Sequence, residues 1–205
     1  MFAKRCELLV LCIHSPPLPP LLQKIRWENR LLGDPGNIAH VSIDGTDFEI
    51  LEPHPFSTAW YSHKFKGPGL RYEVGVSIQK GHVVWVNGPY PCGRWPDIKI
   101  FREDLKHILD DGEMVIADAG YRGEAGKILT PLTLTPDEDM KEAAGTIRAR
   151  HETCNRRFKV WGCLKQKFRH NIPSHQDYFL AVAVIEQLRI ETGETLFEPD
   201  VQWLL

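Results

Sequence analysis

The chain has 205 residues, of which 42% are hydrophobic, 25% charged and 10% aromatic. That suits one domain with an appendage and excludes global disorder. The 25 Lys and Arg against 27 Asp and Glu leave a formal charge of −2, which excludes a uniformly basic, histone-like protein but not a locally basic surface.

Residues 1–36 read as a linker and a remnant N-terminal helix. Pro16, Pro17, Pro19 and Pro20 break the chain, then Leu21, Leu22, Ile25 and Leu32 recur at roughly helical spacing before Gly33, Asp34 and Pro35. The apolar run Leu8–Ile13 is flanked by Glu7 and His14, too short for a signal peptide, and no run approaches the roughly 18 residues of a membrane span. Five cysteines, Cys6, Cys12, Cys92, Cys154 and Cys163, are too sparse for a disulfide scaffold and fit a reducing compartment. The expectation is a soluble, unsecreted protein.

A domain over 37–192 and a C-terminal tail over 193–205 follow. His40–Asp44 and Phe48–Leu51 predict strand, and 71–79 with 82–87 a hairpin turning at Lys80-Gly81, because Tyr72, Val74, Val76 and Ile78 alternate with period two. Gly88–Pro96 reads as a loop. Ile98, Phe101, Leu105, Ile108 and Leu109 mark a helix, and Glu113–Ala117 a short buried strand. A long helix is expected from about Asp139 to Trp161, with Ile147, His151, Cys154, Phe158 and Trp161 as its buried face. A last helix is expected to start at Pro173-Ser174 with a Ser174/Asp177 capping box, its stripe being Tyr178, Ala181, Val182, Ile185 and Leu188. This order indicates one mixed α/β domain.

Three carboxylates stand where they invite chemistry. Asp44 and Asp118 are each expected to end an apolar strand, and Glu152 lies on the border of the long helix's buried face. Carboxylates at such places are costly to desolvate unless a cation or donor meets them. Converging, they make an oxygen-rich site for a hard divalent ion, Mg²⁺ or Mn²⁺. Each Asp also suits an ordinary turn start, and Arg148 with Glu152 an ordinary surface pair of about 0.3–0.5 kcal/mol. His151, Cys154, Cys163 and His170 can be written as a zinc set, but His151 and Cys154 fall on the apolar stripe.

Charge gathers on the same helix. Between Ile147 and His170 stand Arg148, Arg150, Arg156, Arg157, Lys159, Lys165, Lys167 and Arg169 with Glu152 the one acid, a +7 strip that leaves −9 for the rest. Such a strip reads as a polyphosphate track of roughly six contacts, with non-specific affinity of about 10⁻⁴–10⁻⁶ M and a salt slope near −5. Tyr61–Tyr72 interleaves Lys64, Lys66 and Arg71 with aromatics, which suits a single-strand contact or a plain hairpin connection.

Ile43-Asp-Gly-Thr46, Ala117-Asp-Ala-Gly-Tyr121 and Arg148-x₃-Glu152-x₆-Lys159 resemble the core of DDE superfamily endonucleases, nearest to Harbinger-type transposases and similar to bacterial insertion-sequence enzymes. Tyr61–Lys66 to Leu70–Tyr72 and Gly93-Arg-Trp-Pro-Asp97 extend the likeness, which covers about residues 38–190. Gly145 stands where the family carries Tyr, and the family's helical DNA-binding region has no clear counterpart before Asp44. The resemblance implies an α/β ribonuclease-H-like fold: a mixed sheet of three antiparallel strands followed by parallel strands, flanked by helices. It implies a metal-dependent nuclease of DDE transposase type in which Asp44, Asp118 and Glu152 are catalytic and hold two Mg²⁺ or Mn²⁺ ions, Asp44 bridging them. Arg148 and Lys159 would hold phosphates, with Arg156 and Arg157 as further DNA contacts and Asp97 supporting the site. DNA is the implied partner, with a separate DNA-recognition protein, an oligomer, and nuclear residence in a eukaryote or cytoplasmic residence otherwise. The alternative is a catalytically inactive, transposase-derived remnant that binds DNA or protein.

Overall fold

The computed structural model describes residues 24–199 except 35, 56, 132 and 134–137, with only the backbone of 138–140. The proline cluster, Leu21, Leu22, Cys6, Cys12 and residues 200–205 lie outside that set. Of the first 36 residues, the described part includes the 3₁₀ turn Trp27–Leu31. Its Arg30 is buried, donating to Glu113 Oε1 (2.7 Å) and Asp110 Oδ2 (2.7 Å).

The strands are β1 (Ala39–Glu49), the two-residue β2 (Tyr61–Ser62), β3 (Gly67–Ser77), β4 (Val83–Pro91), β5 (Met114–Ile116) and β6 (Ile128–Leu129). The helices are α1 (Asp97–Glu103), α2 (Glu138–Lys159), the short α3 (Gly162–Lys165) and α4 (Ile172–Glu191). The order β4-β3-β1-β5-β6 has antiparallel β4-β3-β1 and parallel β1-β5-β6, with β2 added to β3. This is the expected mixed, ribonuclease-H-like sheet with flanking helices.

Period-two alternation sorts side chains to the two faces. Phe48, Tyr72, Val74 and Val76 pack with Cys154 and Phe158 of α2 and Phe179, Val182, Ala183 and Ile190 of α4. Val41 and Ile43 face the other way, against Phe101, Leu105, Val115, Tyr121 and Ile128. The face toward α1 also takes Glu73 and Gly75; a Cβ on Gly75 would lie 2.7 Å from that of Trp85, whose ring fills the space.

Several local expectations change. β1 does not end at Asp44 but runs on to Glu49, because the antiparallel rungs with β3 continue (Asp44↔Val74, Thr46↔Tyr72, Phe48↔Leu70). β4 extends through Pro91 into the expected loop, and β6 pairs with β5 where no strand was expected. The first helix is cut to α1 and a 3₁₀ turn at Leu105–His107. α4 is capped by Asn171, whose Oδ1 accepts from Ser174 N (2.9 Å), not by a Ser174/Asp177 box. Its buried stripe is His175, Phe179, Val182, Ala183, Glu186, Gln187 and Ile190, leaving Tyr178 and Ile185 exposed. Polar residues occupy that stripe because each has a partner: Tyr72 O–H with His175 Nδ1 (2.8 Å), Trp161 Nε1 donating to Glu186 (2.7 Å), and Val83 N donating to Gln187 (2.7 Å).

Candidate active site

Strand register creates the site. The parallel rungs of β1 with β5 stop at Ser42↔Ile116. Asp44 and Asp118 each lie two residues beyond that last rung, on neighbouring chains that start about 4.8 Å apart. Past Ile116 the chain turns at the 3₁₀ segment Ala119–Tyr121, so β1 beyond Ser42 has no β5 strand pairing on this side. Crevices at the carboxyl ends of parallel strands are where open α/β sheets place their ligands.

The β1 motif follows from close packing. An ideal Cβ on Gly45 would sit 1.9 Å from Asp97 Oδ1, and one on Gly120 would be 2.9 Å from Asp118 Oδ1 and 3.3 Å from Asp97 Oδ2. Two glycines therefore let the Asp97 carboxylate lie between the Asp44 strand and the Asp118 turn. Arg71 Nη1 is 3.3 Å from Asp97 Oδ1, while its Nε and Nη2 grip Asp47 at 2.7 and 2.9 Å. Lys64 Nζ donates to Gly45 O (3.1 Å).

The electrostatics follow from this crowding. Burial pushes Asp44 up to about 6, Lys64 opposes the shift, and the Asp118 and Asp97 charges add to it. Asp97 is likewise raised by burial and by Asp47 and Asp118, against Arg71 and Lys64. Beneath them, the fully buried Tyr121 hydroxyl is driven well above its usual range by burial and then by Glu73, Asp97, Asp44 and Asp118. Burial carries Glu73 to about 8, although Trp85 Nε1 donates to its Oε1 (3.0 Å).

α2 meets β1 through a matched row. His151 Nδ1 and Ser42 Oγ are 2.9 Å apart, and Asn155 Nδ2 donates to Asp44 Oδ2 at 2.9 Å. Four residues of helix rise about 6 Å and two of strand about 6.7 Å, so the i, i+4 and j, j+2 rows stay in step. The next helix position in this row is Lys159, whose pKa burial and Lys64 lower against the opposing charges of Asp47 and Asp44. Its ammonium lies 5.7 Å from the Phe48 ring centroid.

At about 100° per residue, Arg148, Glu152 and Lys159 share a narrow sector beside that row. Glu152 is exposed, and its carboxylate has no hydrogen-bond or ion-pair partner among the described residues. Arg148 bonds not to Glu152 but to Ala144 O (3.4 Å). Among the described residues, no group of three or more His, Cys, Asp or Glu is placed to hold a metal ion. The structure thus sets Asp44, Asp118 and Asp97 close enough for their charges to act on one another without gathering them as a ligand set, places Lys64, Arg71 and Lys159 around them, and leaves Glu152 on the rim. The donor chemistry suits a hard cation, since adjacent desolvated carboxylates repel until positive charge arrives.

The basic strip is less uniform than its sequence. Arg150 is buried and donates to Ser77 O (2.8 Å) and Ile78 O (2.5 Å). Arg157 holds the Glu194 and Thr195 carbonyls (2.6 and 3.0 Å), and Lys167 pairs with Glu49 (2.8 Å). Arg156, Lys165 and Arg169 are exposed. The zinc set is not assembled: Cys154 and His151 are buried, and burial holds His151 down to about 3. Gly145 opens to empty space, so a larger residue there would project outward.

Sequence reasoning placed Asp97 in support of the site and Tyr121 in a motif without a role, and did not single out Asn155. The structure sets Asp97 against the Asp118 turn, Tyr121 beneath it and Asn155 on Asp44. Two signals were present: Asp97 starts α1 directly after Pro96, and Asn155 is four residues after His151 on the buried face. No helix among the described residues is long and apolar enough to cross a membrane. A family model described as DDE superfamily endonuclease matches residues 43–187. No curated protein and no solved structure matches the chain.

Proposed function

Because this chain belongs to the DDE superfamily endonucleases, we propose that it is a divalent-metal-dependent DNA nuclease catalysing phosphodiester hydrolysis or strand transfer. The observation that carries this reading is Asp44, desolvated to a pKa of about 6 beside Asp118 and Asp97 at the open end of the parallel strands. Asp44, Asp118 and Glu152 would hold two Mg²⁺ or Mn²⁺ ions. Bound there, the ions supply Lewis acidity, making water or a 3′-hydroxyl a stronger nucleophile and stabilising the leaving oxygen.

The protein's own groups do the rest. Gly45 N and Asn155 Nδ2 fix the two oxygens of Asp44 (2.8 and 2.9 Å). Lys159 and Lys64 bring positive charge beside the carboxylates, where a phosphate must come, and Arg148 and Arg156 can hold flanking phosphates without reading bases. Tyr121 keeps its proton and forms an uncharged floor. A separate protein would supply end recognition, oligomerisation would pair two sites, and nuclear residence would follow in a eukaryotic host.

A second reading is a catalytically inactive remnant that binds DNA or protein, favoured by the exposed Glu152 and by the lack of a gathered metal set among the described residues. Nicking of supercoiled plasmid by the purified chain with Mn²⁺ separates the two. The nuclease reading expects nicking that Asp44→Asn abolishes. Equal nicking by that variant sinks it, and DNA binding with no nicking by the wild type supports the remnant.

A further inference from the structure

Asn155 is 6% exposed, and its amide is only half used. Nδ2 donates to Asp44 Oδ2 at 2.9 Å, while Oδ1 is buried with no hydrogen-bond partner. Leaving a buried amide oxygen unmet costs about 1–3 kcal/mol, and such groups in native proteins ordinarily meet an ion or a water. With Asp44 ionised, the amide nitrogen is the atom that meets it, because a carboxylate accepts and cannot donate.

We propose that Asn155 is the positioning residue for Asp44 and turns its Oδ1 toward the cation site as a further oxygen donor, directly or through one water. This rests on the metal-dependent reading given above. The choice of residue fits the task. An asparagine carries a donor and an acceptor on one short planar group, so the donor can hold a carboxylate while the acceptor stays beside it. Amide oxygens are ordinary ligands of hard cations. A carboxylate at 155 would repel Asp44 without a cation, an apolar side chain would leave Asp44 Oδ2 bare, and a serine is too short to span the same gap. The helix supplies the rigidity: His151 one turn earlier is tied to Ser42 Oγ (2.9 Å), which fixes the height of Asn155 against β1.

The test is Mn²⁺ binding by DNA-free full-length protein, read by electron paramagnetic resonance, with thermal melts in parallel. Asn155→Ala should weaken Mn²⁺ about 10- to 100-fold, the usual effect of losing a group that orients a metal ligand, while its melt stays cooperative. Asn155→Asp should melt lower than wild type without cation and gain more from Mn²⁺ than wild type gains. A merely structural side chain would lose in both variants and show no such inversion. Mn²⁺ affinity within twofold of wild type in Asn155→Ala, or a smaller Mn²⁺ gain in Asn155→Asp, overturns the proposal and leaves the nuclease reading standing. A wild-type chain that binds no Mn²⁺, or binds it equally well as Asp44→Asn, overturns both.

Discussion

The two walls of the site are built on different terms. The sheet wall holds Asp44 and Asp118, placed by rung register, and Asp97 from the start of α1, packed against them through the glycine contacts at Gly45 and Gly120. The helix wall holds, beside the short, buried Asn155, the long side chains of Arg148, Glu152, Arg156 and Lys159, of which Glu152 and Arg156 are exposed. Where the backbone itself delivers the group, an Asp or Asn suffices and is held by hydrogen bonds. Where the group must reach, a Glu, Arg or Lys is used, and its position depends on rotamers that substrate and cation can still choose. The sheet wall is therefore strained by like charge before anything binds, and the helix wall is not.

The largest expected effect separates the walls directly. Glu152→Gln and Asp44→Asn should each lower Mn²⁺-dependent cleavage by more than about a hundredfold, beyond the range of groups that only orient a ligand. Their apo stabilities should differ. A carboxyl raised to about 6 in the fold is stabilising only below its unfolded value and loses that contribution as pH rises through 6. At pH 7.5, Asp44→Asn should raise unfolding free energy by about 2 kcal/mol, with the Asn155 amide turning over to offer its oxygen. Glu152→Gln should stay within about 0.5 kcal/mol of wild type, as an exposed substitution does. Urea unfolding without metal measures both, and a destabilised Asp44→Asn would break the contrast.

A smaller effect lies deeper in the sheet wall. Glu73 is neutral in the fold up to about 8, where burial has carried it, with Trp85, Tyr121, Asp97 and Asp104 acting on it. Between its unfolded value and 8, the folded state holds a proton that the unfolded state has lost, so stability falls as pH rises and then levels off. Asp44 contributes a like slope only below about 6. The buried His151 and His175, held neutral in the fold, contribute an opposite slope that fades above their unfolded value of 6.5. Over the window from pH 6 to 8, Glu73 is therefore read as the difference between wild type and Glu73→Gln. Glu73→Gln keeps an oxygen for Trp85 and should flatten that window by about 2 kcal/mol. An unchanged slope would mean that Glu73 ionises freely and that the sheet wall is less strained than its burial implies.

What was legible in the sequence divides along the same line. Period two in Tyr72, Val74 and Val76 exposed β3, and Lys80-Gly81 exposed its turn, because those signals are local. Asp44 and Asp118 stood out as carboxylates beside apolar runs, but their adjacency depends on the β1–β5 register, which no local pattern encodes. The stripe of α4 was misread because His175, Glu186 and Gln187 look like surface residues until their partners on β3, β4 and the α2–α3 junction are known. Arg150 misled in the same way: it counts as surface charge in sequence, yet it closes two carbonyls at the end of β3. Asn155 was passed over because its meaning comes from Asp44, 111 positions away.

The smallest expected effect concerns the basic strip. With Arg150, Arg157 and Lys167 committed to Ser77, Ile78, Glu194, Thr195 and Glu49, five of the eight cations remain. In the same proportion as roughly six contacts from eight, that leaves roughly four phosphate contacts. At about 0.9 per contact, the log–log salt slope for duplex DNA should be near −4, not the −5 of an unbroken strip. Arg156 and Arg157 are neighbours in sequence, yet they should part company. Arg156→Ala should flatten the slope by about 1 across unrelated DNA sequences, because the exposed guanidinium has only phosphate to meet. Arg157→Ala should leave the slope alone and instead lower stability by about 1 kcal/mol, since its two hydrogen bonds fasten the 194–195 backbone to α2. Filter binding between 50 and 200 mM salt reads the first and a thermal melt reads the second. Equal slope changes in both variants would show that DNA pulls Arg157 off those carbonyls, and the helix wall would then extend one residue further than its hydrogen bonds imply.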